Sequence, residues 1–147
     1  MSLLPRKALL AIAAVVDVAL NARDRPVSAK ALAARHALPP RHLEPVLQAL
    51  VHEGILRGVR GPHGGYALAR ERGSIGIDEI VQAAATVRDH DDDAIASPLI
   101  ADVVSPAVAE AERAFSGALS RINVDDLARR VEAGGRRADA ADIDFTI

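Results

Sequence analysis

The residues of this chain best suited to chemistry are an arginine, a histidine and three glycines in the segment 59–66, Val-Arg-Gly-Pro-His-Gly-Gly-Tyr. An arginine at the tip of a glycine-rich turn can enter a narrow DNA minor groove, where the potential is most negative. Glycine-rich loops also cradle nucleotide phosphates, but this one lacks the Lys-Ser/Thr and the strand-loop-helix context of those sites. Taken alone, the turn is equally well explained as an ordinary tight hairpin.

Enzymatic chemistry finds little support in the sequence. The chain has no cysteine, which excludes disulfides, thiol catalysis and Cys-ligated zinc or iron–sulfur sites. No serine stands in a Gly-x-Ser-x-Gly turn. His90, Asp91, Asp92 and Asp93 come nearest to a metal site, but adjacent loop residues rarely converge on one ion, so we expect a solvated acidic loop. The sequence predicts no enzyme, no metal and no cofactor.

Charge is divided unevenly along the chain, although the net charge is only −2. Residues 1–72 carry 11 Lys and Arg against 5 Asp and Glu, whereas residues 73–147 carry 7 against 15. A basic N-terminal half suits a polyanion such as double-stranded DNA, which an acidic half would repel. Chance clustering of charge is the alternative explanation.

The composition predicts a globular chain with a thin core. Among 147 residues there are 30 alanines, no tryptophan and only 2% aromatic residues. Alanine favours helix but buries little apolar area, so further burial at a subunit interface is expected. No apolar run is long enough to span a membrane and no secretory cleavage signal is visible, which predicts a cytoplasmic protein.

Apolar periodicity predicts the first elements of the chain. Helices are expected over Arg6–Asn21, Ala29–His36 and Pro40–Glu53, followed by strands over Ile55–Arg60 and Tyr66–Arg70. The residues expected on the core face of the first helix are Leu9, Ile12, Ala13, Val16 and Leu20, with Asp17 on the opposite face. Ser28 is expected to cap the second helix, and Gly54 is expected to end the third. This order of helix, short helix, turn, helix and hairpin is that of a winged helix-turn-helix.

The C-terminal half is predicted to be helical. Expected elements are a helix over Ile77–Ala85, a long helix from Pro98 to about Arg121 bent at Pro106, a last helix over Val124–Ala133 ended by Gly134 and Gly135, and an edge strand over Asp142–Ile147. The expected fold is therefore mainly α with a small β-hairpin wing. Residues 1–86 would form the DNA-binding domain, 87–134 an acidic loop and dimerisation helices, and 135–147 a tail.

The long helix carries an apolar seam with heptad-like spacing. Its members are Val104, Val108, Ala111, Phe115, Ala118 and Ile122. Such a seam is typical of a helix that pairs with its copy in a homodimer. A helix packed on its own domain would show the same spacing. The scarcity of large core residues favours the interface between subunits.

Two segments carry a resemblance to a known family. Residues 39–50 (Pro-Pro-Arg-His-Leu-Glu-Pro-Val-Leu-Gln-Ala-Leu) and 56–68 (Leu-Arg-Gly-Val-Arg-Gly-Pro-His-Gly-Gly-Tyr-Ala-Leu) resemble the Rrf-two family of bacterial transcription regulators. The resemblance spans about residues 3–134, and its specific part is the Arg-Gly-Pro-x-Gly-Gly-Tyr wing. It implies a homodimer on a palindromic promoter site, as a repressor or an activator, with the repressor favoured. The third helix would lie in the major groove and the wing arginine in the minor groove.

By position, the resemblance also assigns contacts to DNA. Arg41, His42 and Glu44 would lie near base edges and Arg60 in the minor groove, and a glutamate can accept from cytosine N4. Pro45 stands where relatives can have a polar side chain, which removes one base contact. The phosphate contacts would be Arg6, Lys7, Lys30 and Arg57, and the remaining predicted contacts are Ser28, Gly61, His63, Gly64, Gly65 and Tyr66.

One departure from the family concerns its sensor. Well-known relatives hold an iron–sulfur cluster through three cysteines before the long helix, and the matching stretch here, about residues 88–105, has none. A cluster sensor is therefore excluded, which leaves open a small-molecule effector, a partner protein or no signal. The alternative function is a winged-helix protein-interaction module without specific DNA binding. The basic N-terminal half and Arg60 argue against that alternative.

Overall fold

The computed structural model describes residues 3–88 and 97–145, with side chains described as far as residue 134. The described residues form helices α1 (Arg6–Asn21), α2 (Ala29–Arg35), α3 (Pro40–His52), α4 (Ile77–Ala85), α5 (Ser105–Ser120) and α6 (Val124–Phe145), with strands β1 (Leu56–Val59) and β2 (Gly65–Leu68) between α3 and α4. The two strands pair antiparallel, with Leu56 opposite Leu68 and Val59 opposite Gly65. The predicted fold class, mainly helical with a β-hairpin wing, is confirmed.

Helix α1 is the centre of the packing, in contact with α3, α4, α6 and β2. Its most buried positions are Ala11, Ala14, Val15 and Val18. Small side chains on this face let the neighbouring elements approach closely. The expected core face was largely wrong: of its five residues only Val16 is buried, Leu9 is exposed, and Asp17, expected on the opposite face, is buried. Asp17 is buried because α2 supplies the charged partners described below.

Helices α2 and α3 have the ends that the sequence predicts. The Ser28 hydroxyl accepts a hydrogen bond from the Ala31 amide at 3.1 Å, which caps α2. After α3 the chain turns at Gly54, whose φ of 74° is in the left-handed region, and the Ile55 amide returns to the Leu50 carbonyl at 2.9 Å. The buried face of α3 consists of Leu43, Val46, Leu47 and Leu50, as expected.

A third backbone segment, at Val27, pairs with the hairpin, and sequence reasoning missed it. The Val27 amide donates to the Tyr66 carbonyl at 2.9 Å, and the Tyr66 amide donates to the Val27 carbonyl at 2.7 Å. This isolated bridge attaches β2 to the residue just before α2. Val27 was expected only as an apolar contact at the start of α2. The bridge fixes the position of the wing relative to α2.

The start of α6 is attached to the residues that precede α4. The Ile77 amide donates to the Ile122 carbonyl at 2.9 Å, and the Val124 amide donates to the Ile75 carbonyl at 3.0 Å. Asn123 caps α6 as expected, since its side chain accepts from the Asp126 amide at 2.9 Å. Val124 and Ala128 are fully buried, and Val124 belongs to the same core cluster as the buried residues of α1. The first turns of α6 therefore belong to the core that holds the helix-turn-helix.

Two expectations for the C-terminal part were wrong. Helix α6 does not end at Gly134 and Gly135 but continues to Phe145, so Asp142–Phe145 is helical and is not part of an edge strand. A glycine ends a helix only when the chain turns into the left-handed region there, which does not happen at Gly134. The expected bend near Pro106 corresponds to a π-helical turn over Ile100–Val104, directly before α5. The His90–Asp93 loop lies outside the described residues.

Candidate nucleic-acid interface

Helix α3 presents a polar stripe to solvent. Its exposed residues include Arg41, Glu44, Pro45 and Gln48, which follow one another at spacings of three, one and three residues. Residues at such spacings lie on one face of a helix, here opposite the buried leucines. His42 is exposed beside this stripe. The face can present two hydrogen-bonding side chains and one cation to a groove.

Gln48 is a candidate base-contacting residue that sequence reasoning missed. It lies seven residues, or two turns, after Arg41 and is exposed on the same face. A glutamine can make two hydrogen bonds to an adenine edge in the major groove. The signal was present in the sequence, because the exposed face of a helix is defined once its buried residues are assigned.

Several cations of the basic half are neutralised within the fold. Arg35 pairs with Asp17, Arg70 with Glu79 at 2.8 Å, and Arg72 with Asp125 at 2.8 Å. Arg72 also contacts Glu132, and Arg23 lies 3.8 Å from the same carboxylate. These arginines hold elements together, and carboxylates of the fold balance their charge. The charge available for a polyanion is therefore smaller than the sequence count suggests.

Lys7 is also engaged within the protein. Its ammonium donates to the Val87 carbonyl, just beyond the end of α4, at 2.6 Å. A cation at this position also interacts favourably with the C-terminal end of the helix dipole. Lys7 was expected to contact DNA phosphate, and the structure instead brings its side chain against α4.

The other basic side chains of the N-terminal half are exposed and make no ion pair with any described residue. They are Arg6, Arg25, Lys30, Arg41, Arg57 and Arg60. Five of these six were predicted to contact DNA, and Arg25 is the addition. They lie on α1, before and on α2, on α3, and on or just after β1. Unpaired exposed cations of this kind attract a polyanion and lose little internal stabilisation on binding it.

Two glycines of the wing lie so close to backbone atoms of other residues in the chain that a side chain would not fit. A Cβ on Gly65 would collide with the Val27 carbonyl, and one on Gly64 would collide with the Val59 carbonyl. Gly61 has a φ of 118°, which side chains rarely adopt. Gly61, Gly64 and Gly65 are also among the predicted DNA contacts. The close packing of Gly64 and Gly65 within the fold holds Arg60 and His63 at the exposed end of the hairpin.

The buried carboxylate of Asp17 connects α2 of the helix-turn-helix to α1. Asp17 accepts from Arg35 Nη2 at 2.6 Å and Nε at 2.9 Å, and from Asn21 Nδ2 at 3.0 Å, while His36 Nε2 lies 2.9 Å from it. Burial acts to raise the pKa of Asp17, but the hydrogen bonds from Arg35, Asn21 and His36 outweigh it and hold that pKa below its ordinary value. The same contact raises the pKa of Arg35. Asp17 thus fixes the end of α2 to α1.

Helix α5 contributes no buried residue to its own protomer. Of the predicted seam, Val104 and Val108 are 44% and 43% exposed, and Ala111 and Ala118 are exposed as well. Phe115 is half-buried, and Ile122, which follows α5, packs against the core of its own protomer. Leu99 and Val103 add to the exposed apolar surface beside Val104.

Comparison with known proteins identifies the family. The profile of the Rrf2 family, described as an iron-dependent transcriptional regulator, matches residues 4–130 of the 147. The chain belongs to the Rrf2 family. This is the Rrf-two family indicated by the sequence, and the order of elements that the structure shows agrees with it. No helix among the described residues of this Rrf2 protein is long and apolar enough to cross a membrane.

Individual relatives of this Rrf2 protein match its N-terminal part or its fold. The transcriptional regulators IscR of an Enterobacter species and of Klebsiella pneumoniae are each 36% identical over 80 residues, which is 54% of this chain and 49% of theirs. The chain thus spans about half the length of these curated relatives. The solved structure of T. potens IscR has a TM-score of 0.70 and 25% identity, with 89% of both chains covered. CymR of B. subtilis, titled the global cysteine regulator, has a TM-score of 0.67 over 88% of this chain and 98% of its own, at 22% identity.

The iron dependence in the family description does not fit the residues of this Rrf2 protein. An iron–sulfur cluster needs cysteine thiolates, and the sequence has none. Within residues 3–88 and 97–134, no three His, Asp or Glu side chains come together as metal ligands. An iron–sulfur cluster would therefore find no thiolate ligand in this chain.

Proposed function

We propose that this protein is a sequence-specific, DNA-binding transcriptional regulator that acts as a homodimer on a palindromic promoter site. Helix α3 enters the major groove, where Arg41, His42, Glu44 and Gln48 contact base edges. Arg60 enters the adjacent minor groove from the end of the wing. Repression follows if the occupied site overlaps the promoter, so that polymerase cannot bind.

The observation that supports this proposal best is the set of six exposed cations that make no ion pair with any described residue. The fold neutralises the remaining N-terminal arginines with its own carboxylates. The six cations lie on the helix-turn-helix, its wing and the first helix, where their charge is available to a polyanion. Phosphate contacts contribute most of the affinity of DNA-binding proteins, and base contacts determine the sequence. Both kinds of side chain occur here on the helix-turn-helix and its wing.

Homodimer formation is proposed from the exposed apolar residues of α5. A helix of 16 residues without a buried side chain would be marginal if it stayed alone in water. Pairing with the α5 of a second copy would bury Val104, Val108 and Ala111. Two helix-turn-helix units related by a twofold axis bind two half-sites related in the same way. The target site is therefore expected to be a palindrome.

The experiment that tests the proposal is selection of duplexes from a random pool by the full chain. The enriched duplex is then titrated by fluorescence anisotropy between low and physiological salt. We expect a palindrome, with log K falling linearly as log salt concentration rises. Arg60→Ala should lose about 1–3 kcal/mol of binding free energy, whereas Arg70→Ala, whose arginine is paired with Glu79, should lose much less.

The outcome of the selection separates two classes of protein. Enrichment of a palindrome that needs Arg60 supports a dimeric regulator. Weak binding without an enriched sequence overturns the proposal and favours a winged helix that binds another protein. Candidate small molecules and partner proteins added to the same titration would reveal an effector by a change in affinity, and an unchanged affinity would indicate a regulator without a signal.

A further inference from the structure

A cleft of about 480 Å³ lies between the start of α2 and the wing. One wall is formed by the loop before α2 and by α2 itself, including Arg25, Ser28 and Arg35. The other wall is formed by Pro62, His63 and Gly64 of the wing. The bridge between Val27 and Tyr66 holds the two walls together. The cleft is therefore a fixed feature of the fold and does not depend on a loop closing over it.

The lining of the cleft is rich in hydrogen-bond donors, and no carboxylate of the described residues belongs to it. Arg25 has no ion pair with a described residue and so retains its full charge. The Ser28 hydroxyl accepts from the Ala31 amide but keeps its own hydrogen to donate. The exposed imidazole of His63 stands on the opposite wall. A cleft lined by such donors is suited to an oxyanion.

Arg35 is held in place for such a ligand. Its Nε and Nη2 donate to Asp17, and Nη1 has no hydrogen-bond partner among the described residues. The ion pair fixes the planar guanidinium, so an anion that reached Nη1 would order little additional side chain. Because Asp17 balances the charge of Arg35, the net positive charge of the cleft comes mainly from Arg25.

We infer that this cleft binds an oxyanion of the phosphate class, held by Arg25, Arg35 and Ser28. Two sources carry that group. One is a phosphodiester of the DNA backbone, and this source rests on the proposed function because DNA would have to lie against Ser28 and His63. The other is the phosphate of a small molecule, which would occupy the same cleft and exclude the DNA phosphate.

The first arm of the test uses inorganic phosphate and no DNA. Phosphate is added to the full chain at constant ionic strength, and the backbone amide of Gly64 and the Nε–H of Arg35 are followed by NMR. We expect saturable shifts at both groups, with about tenfold weaker binding in Arg25→Ala. Arg23→Ala is the matched control, because Arg23 is two residues away, outside the cleft, and carries the same charge. It should change the affinity less than twofold.

The second arm uses the selected duplex and measures the dependence of affinity on salt. If the DNA backbone is the source, Arg25→Ala lowers the slope of log K against log salt by about 0.9, the value of one phosphate contact, and Arg23→Ala does not. Saturable phosphate shifts with an unchanged slope support the small-molecule source. Neither response, or equal effects of the two variants, overturns the inference. If the wild-type chain binds no duplex, the proposed function fails while the first arm still decides whether the cleft takes phosphate.

Discussion

Asp17 of α1 and Arg35 at the end of α2 form a two-point ion pair, with Nη2–Oδ1 and Nε–Oδ2 distances of 2.6 and 2.9 Å. The carboxylate is only 7% exposed. His36, which follows Arg35 at the start of the turn into α3, also contacts it at 2.9 Å. One buried charge thus connects the central helix of the core to the turn that orients the candidate recognition helix.

Replacement of Asp17 by asparagine should destabilise the protein by roughly 1–2 kcal/mol, because the charge-assisted hydrogen bonds from Arg35 are lost while the exposed part of the guanidinium stays hydrated. Asp24→Asn is the matched control, since Asp24 is exposed and makes no ion pair with a described residue. Urea unfolding followed by circular dichroism measures both variants. Equal midpoints for the two variants would show that the Asp17–Arg35 pair contributes nothing to stability.

The stability of the protein should depend on pH in acid because of the same residue. The pKa of Asp17 lies below its ordinary value in the folded state, so the unfolded chain takes up its proton first as the pH falls. The stabilisation is complete above about pH 4, the ordinary range of this carboxyl, and is lost as the pH falls through the folded-state pKa. The difference in melting temperature between wild type and Asp17→Asn should therefore shrink between pH 5 and the lowest accessible pH, as a calorimetric series would show. A constant difference would contradict this assignment.

Alanine at Gly65 should be far more disruptive than alanine at Gly58, although both glycines lie in the hairpin. A Cβ at Gly65 would collide with the carbonyl of Val27, whereas a Cβ at Gly58 meets nothing within 4 Å. Gly65→Ala must break the backbone bridge that attaches the wing to α2, at a cost of roughly 2–3 kcal/mol. Gly58→Ala should change stability by less than about 0.5 kcal/mol. Urea midpoints that coincide for the two variants would remove the steric explanation of this glycine.

The wing shows where sequence reasoning succeeds and where it stops. Glycine and proline around two short apolar runs are sufficient to predict a hairpin, and the strands lie within one or two residues of the expected bounds. The bridge from Tyr66 to Val27 was not predictable. It joins the backbones of two residues that are 39 positions apart. Backbone hydrogen bonds of this kind are not indicated by the pattern of side-chain types. The requirement for Gly65 follows from that bridge.

The burial of Asp17 was missed for a related reason. A charged residue within an apolar helix is assigned to the solvent face because an unpaired buried carboxylate is costly. Its partner Arg35 lies 18 residues later on α2, and only the packing of α2 on the core brings them together. The predicted end of α6 at Gly134 was wrong because it was based on local helix propensity alone. The helix continues through this glycine to Phe145.

Two substitutions should separate base contacts from phosphate contacts at the proposed interface. Gln48→Ala removes an exposed amide from the polar stripe of α3 and should cost about 1–3 kcal/mol on the selected duplex, with relaxed discrimination at one base pair. Lys30→Ala should weaken binding to all duplexes alike and reduce the salt slope by about 1. Anisotropy titration of a set of single-base-pair variants measures both effects. If Gln48→Ala weakens every duplex equally, α3 does not read bases through this residue.

The face of α5 can be tested without damage to the core. Val108→Asp places a charge in the centre of the apolar seam, at a side chain that is 43% exposed in the protomer. A second copy packed there could not accommodate an unpaired carboxylate, so we expect a monomer in sedimentation velocity, with an unchanged circular dichroism spectrum. Phe115→Asp is the less informative variant, because Phe115 is half-buried within its own protomer.

The control for this substitution is Val131→Asp on α6, an identical change at a valine that is 49% exposed. It should leave the sedimentation coefficient as in the wild type, because Val131 lies outside the seam. If both variants remain dimeric, the subunit contact lies elsewhere. An interface that buries Val108 would lose stability when a carboxylate is placed in it. If only Val108→Asp dissociates the protein, its affinity for the palindrome should fall with it, because each half-site would then have to be bound by an independent protomer.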